Sequence, residues 1–122
     1  MTSSQFDPKQ PVQLAPPKDD KIPRLELLQY DGVKSDLIYV GIKGTVFDVT
    51  NNIKAYGPGT SYHIFTGKDS SRGLAKSSLK PEDNSFENSY VIDDLTPSEL
   101  KVLEDWFTFF SKRYNIVGKV VD

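Results

Sequence analysis

The chain has 122 residues, of which 37% are hydrophobic and 26% charged, with a formal net charge of −2 at pH 7. This length and composition are typical of one soluble globular domain, and the near-zero net charge gives no electrostatic basis for binding nucleic acid. Cysteine is absent and histidine occurs once. These counts exclude disulfides, iron–sulfur clusters, thiolate catalysis and a tetrahedral zinc site assembled within the chain.

Residues 1–22 differ in composition from the rest of the chain. Five of the eight prolines fall between residues 1 and 23, among many Gln, Ser, Lys and Asp residues. Such a segment cannot bury enough apolar surface to fold, so we predict a disordered tail over residues 1–22 and one domain over residues 23–122. No run approaches the roughly 18 apolar residues of a spanning helix, and no signal peptide is present. The sequence therefore predicts no membrane-spanning segment and a cytoplasmic location, with the nucleus as an alternative.

The first part of the domain predicts one short helix and one hairpin. The segment LELLQYDG predicts a helix that turns Leu25 and Leu28 toward the core. Two runs rich in β-branched and aromatic residues follow, at 37–42 and 45–49. Because the link between them is the dipeptide KG, they predict a β-hairpin in which Gly44 adopts a positive φ.

Helical signals dominate the second half. Asp69 is predicted to be the N-cap of a short helix that ends near Ser77 and turns Leu74 and Leu79 inward. Residues 81–89 are polar and are predicted to form a loop. Tyr90 and the two residues after it would then pair briefly with the sheet or pack on it.

The last helix has the clearest start. Thr96-Pro97-Ser98-Glu99 has the spacing of a capping box, with proline at the first helical position. Apolar residues then recur every three or four positions, as in one buried stripe: Leu100, Leu103, Trp106, Phe107, Phe110 and Tyr114. Residues 115–121 predict a final strand. The whole chain predicts an α+β fold, a small sheet with helices that bracket one open side.

Tyr56 and Tyr62 stand on either side of a Gly-Pro-Gly turn and could converge across one loop. A single histidine excludes bis-histidine ligation of haem, but a tyrosine oxygen can hold ferric haem. The phenol must ionise to do so, and the iron, nearby bases or a second phenol would assist. Tyr62 as ligand and Tyr56 as hydrogen-bond donor fit these roles. The same spacing also fits two structural turn residues, and taken alone the residues favour this simpler interpretation while leaving both possibilities open.

Charge is unevenly distributed along the chain. Residues 54–80 hold five bases and one acid, whereas residues 82–105 hold eight acids and one base. The pattern predicts a dipolar domain, in which the acidic stretch is either a solvated surface or a partner-binding patch. No Gly-x-Ser-x-Gly elbow, P-loop or dinucleotide-binding glycine motif is present, so we expect no enzymatic activity.

Five runs of the sequence, in order over residues 23–121, resemble the membrane-associated progesterone receptor family: IYVGIKGTVFDVT, KAYGP, FTGKDSSRGLA, LTPSELKVLEDW and KRYNIVGKV. Members of that family are cytochrome b5-like haem/steroid-binding domains. The resemblance implies a cytochrome b5-like α+β fold, a small mixed sheet with helices that bracket a ligand cleft. It also implies that tyrosine replaces the two histidines of true cytochrome b5, in agreement with the histidine count.

The resemblance also implies a set of haem contacts. The tyrosine that ligates iron in the family matches Tyr62, and the tyrosine that hydrogen-bonds to it matches Tyr56. The Lys-Tyr pair of the family falls on Arg113-Tyr114, and arginine can bind a haem propionate bidentately. The cofactor implied is ferric haem b, five-coordinate at Tyr62.

Thr60 and Ser61 stand where many members have glycine and proline. Many members also carry an N-terminal membrane helix, and their setting implies a peripheral location at the endoplasmic reticulum as a further alternative.

Three functional hypotheses follow. In the first, a non-catalytic haem-binding protein supports haem-thiolate monooxygenases or sterol metabolism, with Arg113 and the bases of residues 68–80 near the propionates. An exposed haem face would then allow a haem-stacked homodimer. In the second, motivated by Thr60 and Ser61, the chain binds a steroid, a sterol or a partner protein and binds haem weakly or not at all. The third, an electron-carrying cytochrome, is disfavoured because phenolate stabilises Fe(III).

Overall fold

The computed structural model describes residues 12–122. The strands are β1 Lys21–Pro23, β2 Tyr39–Ile42, β3 Thr45–Asp48 and β4 Asn115–Val121. The α-helices are α1 Arg24–Leu27, α2 Ile53–Tyr56, α3 Ser71–Ala75, α4 Pro81–Asn84 and α5 Pro97–Ser111. A 3₁₀ helix, Ser61–Phe65, lies between α2 and α3. The predicted α+β class is confirmed.

The four strands form one mixed sheet in the order β1-β4-β3-β2. β4 pairs in parallel with β1 and antiparallel with β3, so the two ends of the domain lie side by side, with β1 at the edge of the sheet. β2 and β3 form the predicted hairpin. Both link residues have positive φ, 53° at Lys43 and 79° at Gly44, as a type I′ turn requires. This turn matches the right-handed twist of the flanking strands.

The main core lies between the sheet and α5. Phe47 of β3 and Phe110 of α5 are fully buried, and their rings meet edge to face with centroids 5.4 Å apart. Leu103, two helical turns before Phe110, is also buried. Leu100 was predicted to lie on the same stripe, but its side chain is 40% exposed. The buried stripe of α5 is therefore narrower than its apolar pattern suggests.

The predicted capping box starts α5. The Thr96 hydroxyl accepts a hydrogen bond from the Glu99 amide at 3.2 Å, and the Glu99 carboxylate accepts one from the Thr96 amide at 2.9 Å. Pro97 occupies the first helical position. The two bonds satisfy amides that the helix itself leaves without partners.

The prediction for α1 was wrong about its buried face. Leu27 is fully buried, whereas Leu25 is 70% exposed. A helix of one turn has no repeated stripe, so the preceding strand decides its orientation. Ile22 of β1 packs beside Leu27 and Val46, and this cluster turns Leu25 outward.

The prediction for Asp69 was also wrong. α3 begins at Ser71, with Ser70 at its N-cap. The Asp69 carboxylate instead accepts hydrogen bonds from the Gly44 amide at 2.9 Å and from the amide and hydroxyl of Ser71, at 3.0 and 2.6 Å. Asp69 thus joins the hairpin to the start of α3. This contact lies 25 residues away in sequence, and local patterning cannot detect it.

Two smaller differences follow α3. The predicted loop over residues 81–89 contains the one-turn helix α4, which Pro81 starts. Leu79, predicted to face inward, is 48% exposed. Within the described part of the chain, residues 90–92 form no strand, and Ile92 packs against the main core.

The N-terminal arm, residues 12–20, is extended and runs beside β4. The Ala15 amide donates to the Asn115 side chain at 2.8 Å, and the Lys18 amide donates to the Ile116 carbonyl at 3.0 Å. Residues 21 and 22, which the prediction placed in the tail, belong to β1. The composition of the segment did not indicate this strand, because strands pair through backbone hydrogen bonds that do not depend on the side chains. The prediction of disorder over residues 1–11 lies outside the described residues.

Candidate functional site

Tyr56 and Tyr62 come together as the sequence suggested. Tyr56 is the last residue of α2 and Tyr62 the second residue of the 3₁₀ helix. Their ring centroids are 6.1 Å apart, with the planes tilted by 39°. Tyr56 is only 3% exposed, whereas Tyr62 is 40% exposed. One phenol is therefore part of the core, and its neighbour is open to a ligand.

Thr60 holds the turn between the two tyrosines. Its hydroxyl oxygen lies 2.7 Å from the Ala55 carbonyl and 2.7 Å from the Gly57 carbonyl. Glycine at this position would lack these contacts. The threonine therefore fastens the turn to the end of α2, which sets the spacing between Tyr56 and Tyr62.

Tyr62 borders a cavity of about 190 Å³ that we name the tyrosine cleft. Its lining residues come from the 3₁₀ helix, α3 and its exit, and α5: Tyr62, Phe65, Gly73, Leu74, Ser77, Leu79 and Trp106. Most of the wall is apolar. Pockets that enclose a small ligand measure about 300–1,000 Å³, so this cleft would hold only part of a large flat ligand.

Tyr114 belongs to the same aromatic cluster as the other two tyrosines. Its ring lies 6.4 Å from that of Tyr56 and 5.0 Å from that of Phe110, centroid to centroid. Its hydroxyl accepts a hydrogen bond from the Asn52 side-chain amide at 2.8 Å. Tyr56 therefore lies between Tyr62 and Tyr114 and contacts both rings.

Arg113 lies beside this aromatic cluster and contacts it through Phe109. Its guanidinium carbon is 3.7 Å from the ring centroid of Phe109, and the Phe109 ring is 5.7 Å from that of Trp106. Arg113 and Tyr114 also line a second cavity of about 550 Å³ beside the N-terminal arm. The structure thus brings three of the four predicted site residues into one ring cluster and links Arg113 to it through Phe109.

Tyr56, the buried tyrosine, has a raised pKa. Burial raises the pKa of Tyr56 well above its ordinary value, and the neighbouring Tyr114 and Tyr62 raise it further. At physiological pH Tyr56 is therefore neutral and keeps its hydroxyl proton. A neutral phenol can donate a hydrogen bond to a negatively charged oxygen nearby.

His63 follows Tyr62 directly, but its side chain has a different role. Its Nε2 donates to the Asp31 carbonyl at 2.8 Å. This bond ties the 3₁₀ helix to the loop after α1. His63 is not among the residues that line the tyrosine cleft, so it supports the position of Tyr62.

Two of the bases of residues 68–80 are engaged in ion pairs. Arg72 pairs with Asp83 at 3.2 Å and with Asp94 at 2.6 Å. Lys76 pairs with Glu99 at 3.2 Å. These ion pairs join α3 to α4, to the following loop and to the start of α5. Folding thus brings part of the basic stretch against part of the acidic stretch.

Sequence reasoning assigned Phe65 and Trp106 no role at the site. Phe65 lies 5.7 Å from Tyr62, ring to ring, and Trp106 forms the opposite wall of the tyrosine cleft. The predicted apolar stripe of α5 included Trp106 as a core residue, so its spacing did not indicate that it lines a cleft. A half-buried aromatic residue at such an edge has one face free for a ligand.

Residues 12–122 contain no group of three His, Cys, Asp or Glu side chains that could hold a metal ion. No helix in that range is long and apolar enough to cross a bilayer.

Comparisons with known proteins agree with this geometry. The family model described as "Cytochrome b5-like Heme/Steroid binding domain" matches residues 24–114. Probable steroid-binding protein 3 of Arabidopsis thaliana is 46% identical over 97 residues, which cover 79% of this chain and 93% of that protein. Cytochrome P450 regulator dap1 of Schizosaccharomyces pombe is 42% identical over 99 residues. The match covers 79% of this chain, which thus spans only 60% of that relative.

A solved structure shows the same fold. A hypothetical Arabidopsis thaliana protein, described as having a cytochrome b5-like fold, superposes with a TM-score of 0.74 at 43% sequence identity. The match covers 84% of this chain and 92% of that one. The fold predicted from the sequence motifs is therefore confirmed.

Proposed function

The chain belongs to the cytochrome b5-like haem/steroid-binding domain family, and on this basis we propose that it is a non-catalytic haem-binding protein. Tyr62 would hold the iron of a ferric haem b in a five-coordinate site. The observation that carries this proposal is the pairing of an exposed phenol, Tyr62, with a buried neutral phenol, Tyr56, at the edge of an apolar cleft.

The donor set of the cleft fits such a group. Tyr62 supplies an oxygen ligand, and the walls formed by Phe65, Leu74 and Trp106 suit a flat apolar ring system. Haem bound there would supply a ferric centre that favours the phenolate form of its ligand.

Tyr56 would act through Tyr62. Because burial keeps its proton in place, Tyr56 can donate to the Tyr62 oxygen and stabilise the phenolate. A hydrogen bond to a charged oxygen is stronger than one to a neutral oxygen. Tyr62 would thus be the iron ligand, and Tyr56 would be the hydrogen-bond donor to the Tyr62 oxygen.

Arg113 and Tyr114 would contact the rim of the bound group. Stacking on Phe109 orients the guanidinium plane of Arg113, and its N–H edges can then bind a propionate carboxylate. Tyr114 packs against Tyr56 and would fix the position of that donor.

The printed name of the S. pombe relative, a cytochrome P450 regulator, supports a role as a haem donor or supporting factor for haem-thiolate monooxygenases. Such a role needs binding without catalysis, as proposed here. A haem face left exposed by the small cleft would also allow two protomers to stack into a dimer.

The alternative is a steroid-, sterol- or protein-binding module with weak haem binding or none. The printed name of the A. thaliana relative, a steroid-binding protein, supports it. This alternative predicts a colourless purified protein that gives no Soret band when haemin is added.

A haemin titration followed by absorbance tests the proposal. It compares the wild type with Tyr62→Phe and with Tyr90→Phe as a matched control. Tyr90 is 44% exposed, much like Tyr62, but it lies over Arg24 at another part of the surface. We expect saturable binding with a high-spin ferric spectrum and a phenolate charge-transfer band in the wild type and Tyr90→Phe. Loss of that band in Tyr62→Phe is the expected result, and an unchanged spectrum in Tyr62→Phe would overturn the assignment.

A further inference from the structure

A further cavity, distinct from the one beside the N-terminal arm, lies along α5 next to the tyrosine cleft. It measures about 190 Å³ and is lined by Val102, Asp105, Trp106 and Phe109. Trp106 belongs to both cavities, so its indole forms the partition between them. We name the cavity lined by Val102, Asp105, Trp106 and Phe109 the α5 groove.

The groove follows one face of the helix and leads to Arg113. Val102, Trp106, Phe109 and Arg113 are spaced by four, three and four residues, which places them along one side of α5 and its C-terminal turn. Trp106 and Phe109 meet edge to face at 5.7 Å, and Arg113 stacks on Phe109 at 3.7 Å. The groove thus forms a path from the partition to a guanidinium group.

Size indicates that the two cavities act together. Each is smaller than the roughly 300–1,000 Å³ of pockets that bury a small ligand, but their combined volume falls within that range. Tyr62 lines the tyrosine cleft, and Arg113 stacks on Phe109, which lines the α5 groove. This arrangement matches a flat ligand that bears a carboxylate. The Tyr62 oxygen would bind its centre, and the Arg113 cation would bind the carboxylate.

Asp105, the acid that lines the groove, would repel a ligand carboxylate only weakly. The Asp105 carboxylate pairs with Lys101 one helical turn earlier, at 2.6 Å. The rest of the groove wall is apolar. The base that contacts Phe109 is Arg113.

We propose that Trp106 is a positioning residue and that the α5 groove is the second half of the ligand site. The flat ligand held at Tyr62 would lie across the Trp106 indole, so that its carboxylate edge reaches Arg113. This inference rests on the proposed function and names further residues for it. It also explains how Arg113 can contact a ligand although it does not line the tyrosine cleft.

Val102→Glu tests the groove, and Leu100→Glu is its matched control. Both changes put the same acid on α5, but Leu100 is 40% exposed and lines neither cavity. Glutamate is a good helix former, so circular dichroism should show an intact fold in both variants. We expect Val102→Glu to weaken haemin binding about tenfold or more, because it places a charge against an apolar ligand surface. Leu100→Glu should bind like the wild type.

A nuclear magnetic resonance titration with gallium protoporphyrin IX, a diamagnetic mimic of ferric haem, gives a second measurement on the full chain. Ring currents should shift the Val102 methyl signals and the Trp106 indole N–H signal, with little change at the Leu100 methyls. Haemin binding that depends on Tyr62 but is unaffected by Val102→Glu, with no shift at Val102, would overturn the groove alone. Haemin binding that does not depend on Tyr62 would overturn the proposed function instead.

Discussion

The rings of Tyr56 and Tyr62 lie 6.1 Å apart, but one is buried and the other 40% exposed. The difference in burial gives two chemically identical side chains different environments. Burial raises the pKa of Tyr56, so its phenol stays neutral. Tyr62 lies at the cleft, where a ligand can reach its oxygen.

Tyr56→Phe should weaken haemin binding without abolishing it. The variant keeps the ring that packs against Phe110 and Tyr114, so we expect its unfolding free energy to stay within about 1 kcal/mol of the wild type. Loss of a hydrogen bond to a charged oxygen should lower the haemin affinity roughly tenfold or more. The charge-transfer band should remain, because Tyr62 is still present. Absorbance titration measures both effects, and an affinity equal to that of the wild type would contradict the donor role.

Arg113→Ala should reduce the dependence of haemin binding on salt. If Arg113 binds a propionate at the cleft rim, increasing ionic strength should weaken wild-type binding by screening this pair. Lys112→Ala, a change of charge at the neighbouring position, is the control and should retain the wild-type salt dependence. Arg113→Lys should lie between the wild type and Arg113→Ala, since lysine keeps the charge but loses the planar stack on Phe109. Equal salt slopes for all four proteins would exclude this role.

Asp31 should make the stability of the fold depend on pH in strong acid. Burial would raise its pKa, but hydrogen bonds from the Lys34 side chain and from the Lys34 and Val33 amides outweigh burial and hold the pKa at about 2. Because this value is below that of the unfolded chain, the carboxylate stabilises the fold above about pH 4, and the contribution is lost as pH falls toward 2. We expect Asp31→Asn to cost about 1 kcal/mol at pH 7 and only a small fraction of that near pH 2, where the carboxyl is half protonated in the folded state. Thermal melts across this range would measure the difference, and a cost that is constant with pH would count against it.

Gly73→Ala should disturb both the core and the cleft. A Cβ at Gly73 would lie 2.1 Å from the Asn84 side-chain oxygen and 3.0 Å from the Phe65 ring. Asn84 cannot move easily, because its amide donates to the Ser78 and Lys80 carbonyls at 3.1 and 2.8 Å. Overpacking of this kind costs about 1–3 kcal/mol.

A double-mutant cycle with Asn84→Ala identifies the cause of that cost. Asn84→Ala removes the oxygen that the new methyl group would meet, so the double variant should lose less stability than the sum of the two single changes. Urea denaturation gives the unfolding free energies of the wild type, the two single variants and the double variant. Simple additivity would mean that the clash is relieved elsewhere.

The sequence by itself determined the elements whose signals are local. The hairpin at Lys43-Gly44 needs only a link that tolerates positive φ, and the start of α5 needs only Thr96, Pro97 and Glu99 within four consecutive positions. The family motifs are also local strings, and the fold they imply agrees with the solved relative. The closeness of Tyr56 and Tyr62 follows from one short turn, so it too could be read from the chain.

Only the tertiary structure decided which side chains face which surface. Asp69 binds the hairpin because β2 passes beside it, and Leu27 is buried instead of Leu25 because β1 fixes the direction of α1. Charges that are separate in sequence, such as Arg72 and Asp94, neutralise each other only after folding. Trp106 divides two cavities because α3 and the 3₁₀ helix cover one side of it. Each of these outcomes depends on contacts between residues far apart in the chain, which no local pattern contains.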